Sequence, residues 1–315
     1  MSIWQIKRFI NQDKDLTLDE LLAAKVVCEG VEGTSFEFTN KDGIYPTFSL
    51  TLEASDEDNG EFKRRFVNIR PGNYSVKVSN LGANSTINLD DIKLGEVRKL
   101  VYTLSVELAK LTSPITKEVQ VPSGFKEVTV TAIAGGAPGG NGGDSDYDSS
   151  AGAQGGGGGG AGQSVINKTY SVTPGQKIKI TVGAARQATV IGSLVTLQPG
   201  VAGHKGYGYR APSSYDGKGG AIGGVDGAQN NGRAGGKGGN GGPGINENGE
   251  PVSPAKGGAG GVSLGEQAQV GANGTGYGSG GAGGGGGTES NAYNGAAGGQ
   301  PTAGFAHIRA TITIV

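Results

Sequence analysis

The stretch Gly235–Gly244, GGKGGNGGPG, decides how the second half of this chain folds. It repeats Gly-Gly-x with Lys237, Asn240 and Pro243 at every third place. Glycine is concentrated around it: of the 64 glycines in the 315 residues, 56 follow Ala134, and they make up about a third of residues 135–304. Such a composition suits a flexible linker, but it also suits backbone packed too closely to admit a side chain.

Strand-like sequences frame the glycine runs. An alternating stretch, 119–134, leads straight into the first run, and FAHIRATITIV (305–315) ends the chain. Between them, 164–172 and 176–183 flank a Thr-Pro-Gly turn and predict a strand pair. A disordered linker has no reason to begin, pause and end on amphipathic strands. We therefore predict one folded glycine-rich domain over 118–315.

The glycine runs themselves are predicted to form packed polyglycine II helices. This extended helix has three residues per turn and no internal hydrogen bonds, so its N–H and C=O groups must be satisfied by neighbouring segments. Neighbours can approach closely enough only where no Cβ separates them. A Gly-Gly-x period then places every third residue on an outer face. A collagen helix is excluded because a strict Gly-x-y repeat and abundant proline are missing.

The first part of the chain has a different pattern. From Val26 to about Leu108, short alternating runs are separated by turn formers such as Asn-Lys-Asp-Gly and Arg-Pro-Gly-Asn. The pattern predicts an antiparallel β-sandwich over 25–110 and an all-β fold for the whole chain. Within it, FVNIRPGNYSVKVSN (66–80) resembles the strand–PGxY–strand segment of transthyretin-like, carboxypeptidase-regulatory-type sandwiches. The resemblance implies an attachment or spacer domain.

Residues 1–24 are predicted to be a docking segment. Thr17 to Glu20 has the form of a capping box, which favours a short helix near 17–25. Upstream, isoleucines recur on one helical face beside the single tryptophan. These apolar residues either pack on the sandwich or attach the chain to a partner. The attachment candidates are Ile3, Trp4, Ile6, Phe9 and Ile10.

Charge and residue counts exclude several function classes. The net charge is −1 and the only basic cluster is Lys63–Arg65, so no nucleic-acid partner is expected. The N-terminus lacks the apolar core of a signal peptide, and no stretch is long enough to span a bilayer. With two histidines and no paired-carboxylate spacing, we expect neither an enzyme nor a cofactor. Asp144, Asp146 and Asp148 alternate as in a calcium loop, but Ser149 stands where the turn glycine is needed, so no metal is expected either.

The strands that frame the glycine runs resemble those of a known group. VTVTAIAGGAPGG (128–140), YSVTPGQKIKITVGA (170–184) and AGFAHIRATITIV (303–315) are similar to the glycine-rich domains of phage tail-fibre tip adhesins. In that family a sandwich of polyglycine II helices carries variable loops that bind the bacterial surface. The resemblance implies a virion protein of the tail or tail fibre, made in the host cytoplasm. It also implies attachment to other tail proteins through 1–117 and binding to a bacterial surface polysaccharide or outer-membrane protein.

Tyrosines among the glycine runs are the best candidates for receptor contacts. Tyrosine offers a large amphipathic surface at little entropy cost, and it is favoured in binding loops. The alternative is that these rings cover the ends of the glycine stack. Loops 144–151, 245–256 and 288–294 are further candidates, and a structural virion spacer or decoration protein and an ice-binding protein remain alternative functions. The receptor-binding candidates are Tyr147, His204, Tyr207, Tyr209, Arg210, Tyr215, Asp216, Tyr277, Asn291 and Tyr293.

Overall fold

The computed structural model describes residues 23–144, 153–207, 219, 237–257, 268–287 and 294–315. These residues are all-β, as predicted: they form sixteen strands in four four-stranded sheets and contain no helix. The strands are β1 (Ala24–Gly30), β2 (Ser35–Asn40), β3 (Phe48–Thr51), β4 (Glu57–Asp58), β5 (Lys63–Ile69), β6 (Gly72–Asn80), β7 (Ala83–Ile92), β8 (Val97–Lys99), β9 (Tyr102–Leu111), β10 (Thr116–Gln120), β11 (Glu127–Ile133), β12 (Ser164–Ser171), β13 (Lys177–Thr181), β14 (Thr189–Ile191), β15 (Val195–Leu197) and β16 (Phe305–Ile314).

Two sheets form the sandwich-like N-terminal unit. Their orders are β4-β5-β1-β8 and β3-β2-β6-β7, and every pair in them is antiparallel except β1 with β8. Alternation sends Val26 and Cys28 of β1 inward, where they join a core with Phe36, Phe38 and Val76. Burial raises the pKa of the Cys28 thiol to about 12, so Cys28 serves as a small apolar residue and not as a nucleophile.

The end of the predicted sandwich continues into the next unit. The run 98–108 is divided between β8 and β9 at Leu100, which is fully buried and donates its N–H to the Val27 carbonyl. β9 then crosses the expected boundary near 110 and pairs along its whole length with β16, the last strand of the chain. β9, which follows the N-terminal unit, and β16, at the end of the chain, thereby lie in one sheet, ordered β12-β11-β16-β9.

The expected continuous strand over 119–134 is wrong. It is two strands, β10 and β11, separated by a turn in which Phe125 donates its N–H to the Pro122 carbonyl and Gly124 has φ +81°. Because of this turn the strands enter different sheets, and β10 lies in the sheet β10-β13-β14-β15. The predicted pairing of 164–172 with 176–183 is also wrong, because β12 pairs with β11 and β13 with β10.

The last residues of the helix predicted near 17–25 are in a strand. Ala24 and Lys25 belong to β1, where they pair with Ile69 and Asn68 of β5. Tertiary pairing therefore overrides the local helix signal at these two residues. Residues 17–22 and the attachment candidates Ile3, Trp4, Ile6, Phe9 and Ile10 lie outside the described residues.

The N-terminal unit packs against one end of the sheet that contains β11 and β16, and the two share one hydrophobic core. Lys126, just before β11, forms an ion pair with Glu61 at 2.9 Å, and Gly124 packs against Val31. The opposite end of β11 runs directly into the glycine-rich part at Ala134. The sheet therefore separates the N-terminal unit from the glycine-rich part.

Candidate functional site

The described glycine-rich residues form eight extended segments. We number them in chain order as segment 1 (135–143), segment 2 (153–162), segment 3 (200–207), segment 4 (237–244), segment 5 (255–257), segment 6 (268–274), segment 7 (277–287) and segment 8 (294–304). Segments 2 and 7 lie in the middle and are almost completely buried. Their burial without large side chains means that backbone packs directly against backbone.

Backbone hydrogen bonds join these segments with a period of three residues. In segments 1, 2 and 7, every third N–H donates to one neighbouring segment and the N–H that follows it donates to another, while their carbonyls accept hydrogen bonds from other segments at the same three-residue spacing. Peptide groups that no apolar core protects are thus satisfied between segments. In segment 1, for example, the N–H groups of 136, 139 and 142 donate to the carbonyls of 302, 299 and 296, while those of 137, 140 and 143 donate to 160, 157 and 154, all at 2.8–3.1 Å.

The segments lie too close together for side chains on their inner faces. A Cβ placed on Gly283 of segment 7 would overlap the carbonyl of Gly156 in segment 2. A Cβ on Gly238 would overlap the carbonyl of Gly283 in the same way. In both cases the obstacle is backbone, which has no rotamer by which to move aside. Glycine is therefore required here because neighbouring backbones approach too closely for a side chain, so GGKGGNGGPG is packed backbone and not a flexible linker.

The third residue of each Gly-Gly-x unit faces outward in segment 4, as predicted, whereas in the more central units it is a buried alanine: Ala137, Ala161 and Ala282. In segment 4, Lys237, Asn240 and Pro243 are exposed, whereas Gly238 and Gly241 are buried. Several outward-facing polar side chains also accept a hydrogen bond from a neighbouring segment. The side-chain Oδ1 accepts a hydrogen bond from a backbone N–H of the next segment at 2.8–3.0 Å in four pairs: Asn141 with Gly298, Asp144 with Gly295, Asn240 with Gly257, and Asn273 with Gln300.

The segments alternate in direction, so each connection between consecutive segments lies at one of the two ends of the glycine-rich part. Hydrogen-bond registers show that odd-numbered segments run away from the sheets and even-numbered segments run back. For example, segment 3 is parallel to segment 1, and segments 2 and 8 are antiparallel to it. We call the end next to the sheets the sheet end and the other the distal end. The chain ends that flank 145–152, 208–236, 258–267 and 288–293 all lie at the distal end.

Only three of the sequence-predicted receptor residues are described. His204 and Tyr207 lie in the distal half of segment 3 and are exposed. Tyr277 begins segment 7 at the sheet end, so the structure does not bring it together with the other two. The candidates that lie outside the described residues are Tyr147, Tyr209, Arg210, Tyr215, Asp216, Asn291 and Tyr293. Each of these seven belongs to a connection whose flanking residues are at the distal end.

At the distal end, the described polar groups form one fixed pair. Lys205 Nζ lies 2.8 Å from a carboxylate oxygen of Asp144, and the other oxygen accepts the Gly295 N–H at 3.0 Å. The hydrogen bond from Lys205 and then that from Gly295 lower the pKa of Asp144. The carboxylate is therefore ionised and held in place at neutral pH. The sequence pattern suggested Asp144 as a calcium ligand and as part of the candidate loop 144–151, but not as the partner of Lys205.

Tyr277 has a packing role at the sheet end. Its ring is stacked on Phe305 with 4.8 Å between centroids, and its hydroxyl lies 3.3 Å from Glu247. Burial is the main cause that raises the pKa of this hydroxyl. Glu247 is also ion-paired with Lys110 of β9. Loop 245–256, another candidate, is thus held against the sheets, on the side away from His204 and Tyr207.

His307 also takes part in the framework. It lies on β16, and its Nε2 is 3.0 Å from a carboxylate oxygen of Glu107 on β9. Burial and then the nearby Arg309 lower the pKa of His307, so the imidazole is neutral at pH 7. No group of three or more His, Cys, Asp and Glu side chains suited to a metal occurs among the described residues. Those residues also include no helix of the length and hydropathy needed to cross a membrane.

No family model matches the chain, and no curated protein matches it.

Proposed function

We propose that this protein is a phage receptor-binding adhesin at the tip of the tail or tail fibre. The observation that carries the proposal is the alternating direction of the eight segments, which brings the flanks of four connections to the distal end. Binding surfaces are commonly built from connections held by a rigid scaffold. These four connections contain most of the tyrosine, arginine and asparagine side chains that suggested receptor contacts.

The scaffold in this proposal is a bundle of polyglycine II helices. The period of three in the hydrogen bonds and the outward third residue both fit that helix. Such a bundle needs no large apolar core, and its regular backbone bonding keeps the distal flanks in fixed positions. A rigid base lowers the entropy lost when connections bind a ligand, so a few aromatic side chains can supply most of the affinity.

Attachment to the particle is assigned to residues 1–117 in this proposal. The N-terminal unit contacts the sheet β12-β11-β16-β9 at the end away from the glycine-rich part. Attachment there leaves the distal end free to meet the host surface. The partners would be other tail or tail-fibre proteins on one side and a bacterial surface polysaccharide or outer-membrane protein on the other. No catalytic step is required of this chain.

A binding assay with whole cells tests the proposal. The full chain, fluorescently labelled, is incubated with a panel of bacterial strains, and saturable binding to at least one strain that unlabelled protein displaces is expected. Changing Tyr207, Tyr209 and Tyr215 together to serine should abolish this binding and leave the melting temperature nearly unchanged. Lys179→Ser, an exposed change on β13 in the sheets, is the control and should bind normally.

Two outcomes would count against the proposal. Incorporation into particles without binding to any cell would favour the structural spacer or decoration protein. A triple variant that melts lower but still binds would mean that these tyrosines cover the glycine segments and do not meet a receptor.

A further inference from the structure

Segment 3 carries a line of exposed side chains along one edge. Val201, His204 and Tyr207 are spaced three residues apart and exposed, with 53% of Val201 and 39% of Tyr207 accessible. The hydrogen bonds of this segment repeat every three residues, so the three side chains share one edge. With a rise of about 3.1 Å per residue, successive side chains are about 9 Å apart. We call these three residues the segment 3 stripe.

The stripe is fixed before any ligand arrives. Segments 1 and 2 hold segment 3 through six backbone hydrogen bonds of 2.8–3.0 Å. The N–H groups of Gly200, Gly203 and Gly206 donate to segment 1, and the carbonyls of all three stripe residues accept from segment 2. Binding at the stripe therefore does not have to order the backbone, which is a large part of the usual cost of binding by a loop.

Polar groups accompany the stripe at its distal end. Lys205 lies between His204 and Tyr207 in sequence and pairs with Asp144 at 2.8 Å. About half of each side chain is exposed, 57% for Lys205 and 51% for Asp144. The pair thus keeps hydrogen-bonding capacity toward solvent on both the donor and the acceptor side.

We propose that the segment 3 stripe binds an extended polysaccharide chain along the flank of the glycine segments. Faces of ring side chains suit sugar rings, because both are amphipathic. The Lys205–Asp144 pair supplies a donor and an acceptor for the hydroxyl groups. A regular linear array matches a polymer with repeating units, whereas a protein partner would call for a compact apolar centre with a polar rim. The inference rests on the proposed adhesin function and names its receptor class.

The test uses the full chain and any strain from the panel to which it binds. Cells are treated either with periodate, which cleaves the vicinal diols of sugars, or with a broad-specificity protease. We expect periodate to abolish binding and protease to leave it intact. His204→Ser and Tyr207→Ser should each weaken binding by about 5- to 150-fold, the range typical of interface hot spots. Lys179→Ser, an exposed change on β13 in the sheets, is the matched control and should bind as the wild type does.

Failure of this inference can be told apart from failure of the adhesin function. Binding that survives periodate and is lost after protease would overturn the polysaccharide and leave the adhesin standing. Wild-type affinity in both stripe variants would overturn the stripe as the binding site. Absence of binding to every strain would count against the adhesin function and, with it, against the stripe.

Discussion

A single added methyl group in the middle of the glycine segments should strongly destabilise them. Gly283→Ala places a Cβ on the carbonyl of Gly156, in the central contact between segments 7 and 2. That contact consists of four backbone hydrogen bonds of 2.8–3.0 Å. Because both segments are buried and touch other segments on several sides, neither can move without breaking bonds elsewhere.

The expected loss of stability follows from these contacts. Overpacking a close-packed interior costs about 1–3 kcal/mol. Each buried peptide group that loses its partner costs about 1–3 kcal/mol more, and the two bonds that flank the new methyl are the first to break. The lower entropy of the unfolded alanine chain returns only about 0.4–1 kcal/mol. We expect a net loss of about 2–8 kcal/mol and a melting temperature lower by several degrees to roughly 20 °C.

Differential scanning calorimetry of the full chain measures this effect. The control is Ala282→Gly, which changes one methyl at the adjacent residue in the opposite sense and should cost only about 1–2 kcal/mol. The exposed change Lys237→Ala should lie within about 0.5 kcal/mol of the wild type. A Gly283→Ala protein that melts with either control would refute the argument that close approach requires glycine.

Three further variants test other parts of the account. Asn141→Ala should destabilise the chain by about 1–2 kcal/mol because the Gly298 N–H loses its acceptor, while Asn141→Asp keeps an oxygen there and should show less effect in urea titrations. Burial lowers the pKa of His307 in the folded chain, so as pH falls the unfolded chain takes up a proton first. The stability contributed by the neutral imidazole is therefore lost as pH falls below about 6.5. His307→Gln should reduce the drop in melting temperature between pH 7.5 and 5, and an unchanged drop would show that His307 is not responsible. Deletion of residues 1–22 should leave a folded chain that is absent from purified particles, and normal incorporation would end the docking hypothesis.

Local sequence patterns predicted most strands but not how they pair. Alternation identified β2, β6 and β16 closely, because each buries one face. It failed at Pro122 to Phe125, where a four-residue turn moves the chain from one sheet to another without interrupting the alternation. Pairing of β9 with β16 joins residues some 200 positions apart, and no local pattern carries that information.

The sequence predicted which residues of segment 4 face outward, but not the directions in which the segments run. The Gly-Gly-x period correctly gave the outward position of Lys237, Asn240 and Pro243. It could not give the direction of each segment, which depends on the neighbours that each segment finds. The hydrogen bonds that Asn141 and Asn240 accept from neighbouring segments could have been predicted from the sequence. Each asparagine stands between two glycine pairs, where its short side-chain amide can reach the backbone of the next segment.

Amide hydrogen exchange of the full chain, resolved by mass spectrometry, tests the central claim most directly. The account predicts strong protection over 153–162 and 277–287, comparable to that of β11 and β16, because their N–H groups donate to other segments and are buried. A glycine linker would exchange at the rate of an unstructured peptide. Protection in the strands with free exchange in these two segments would contradict the account.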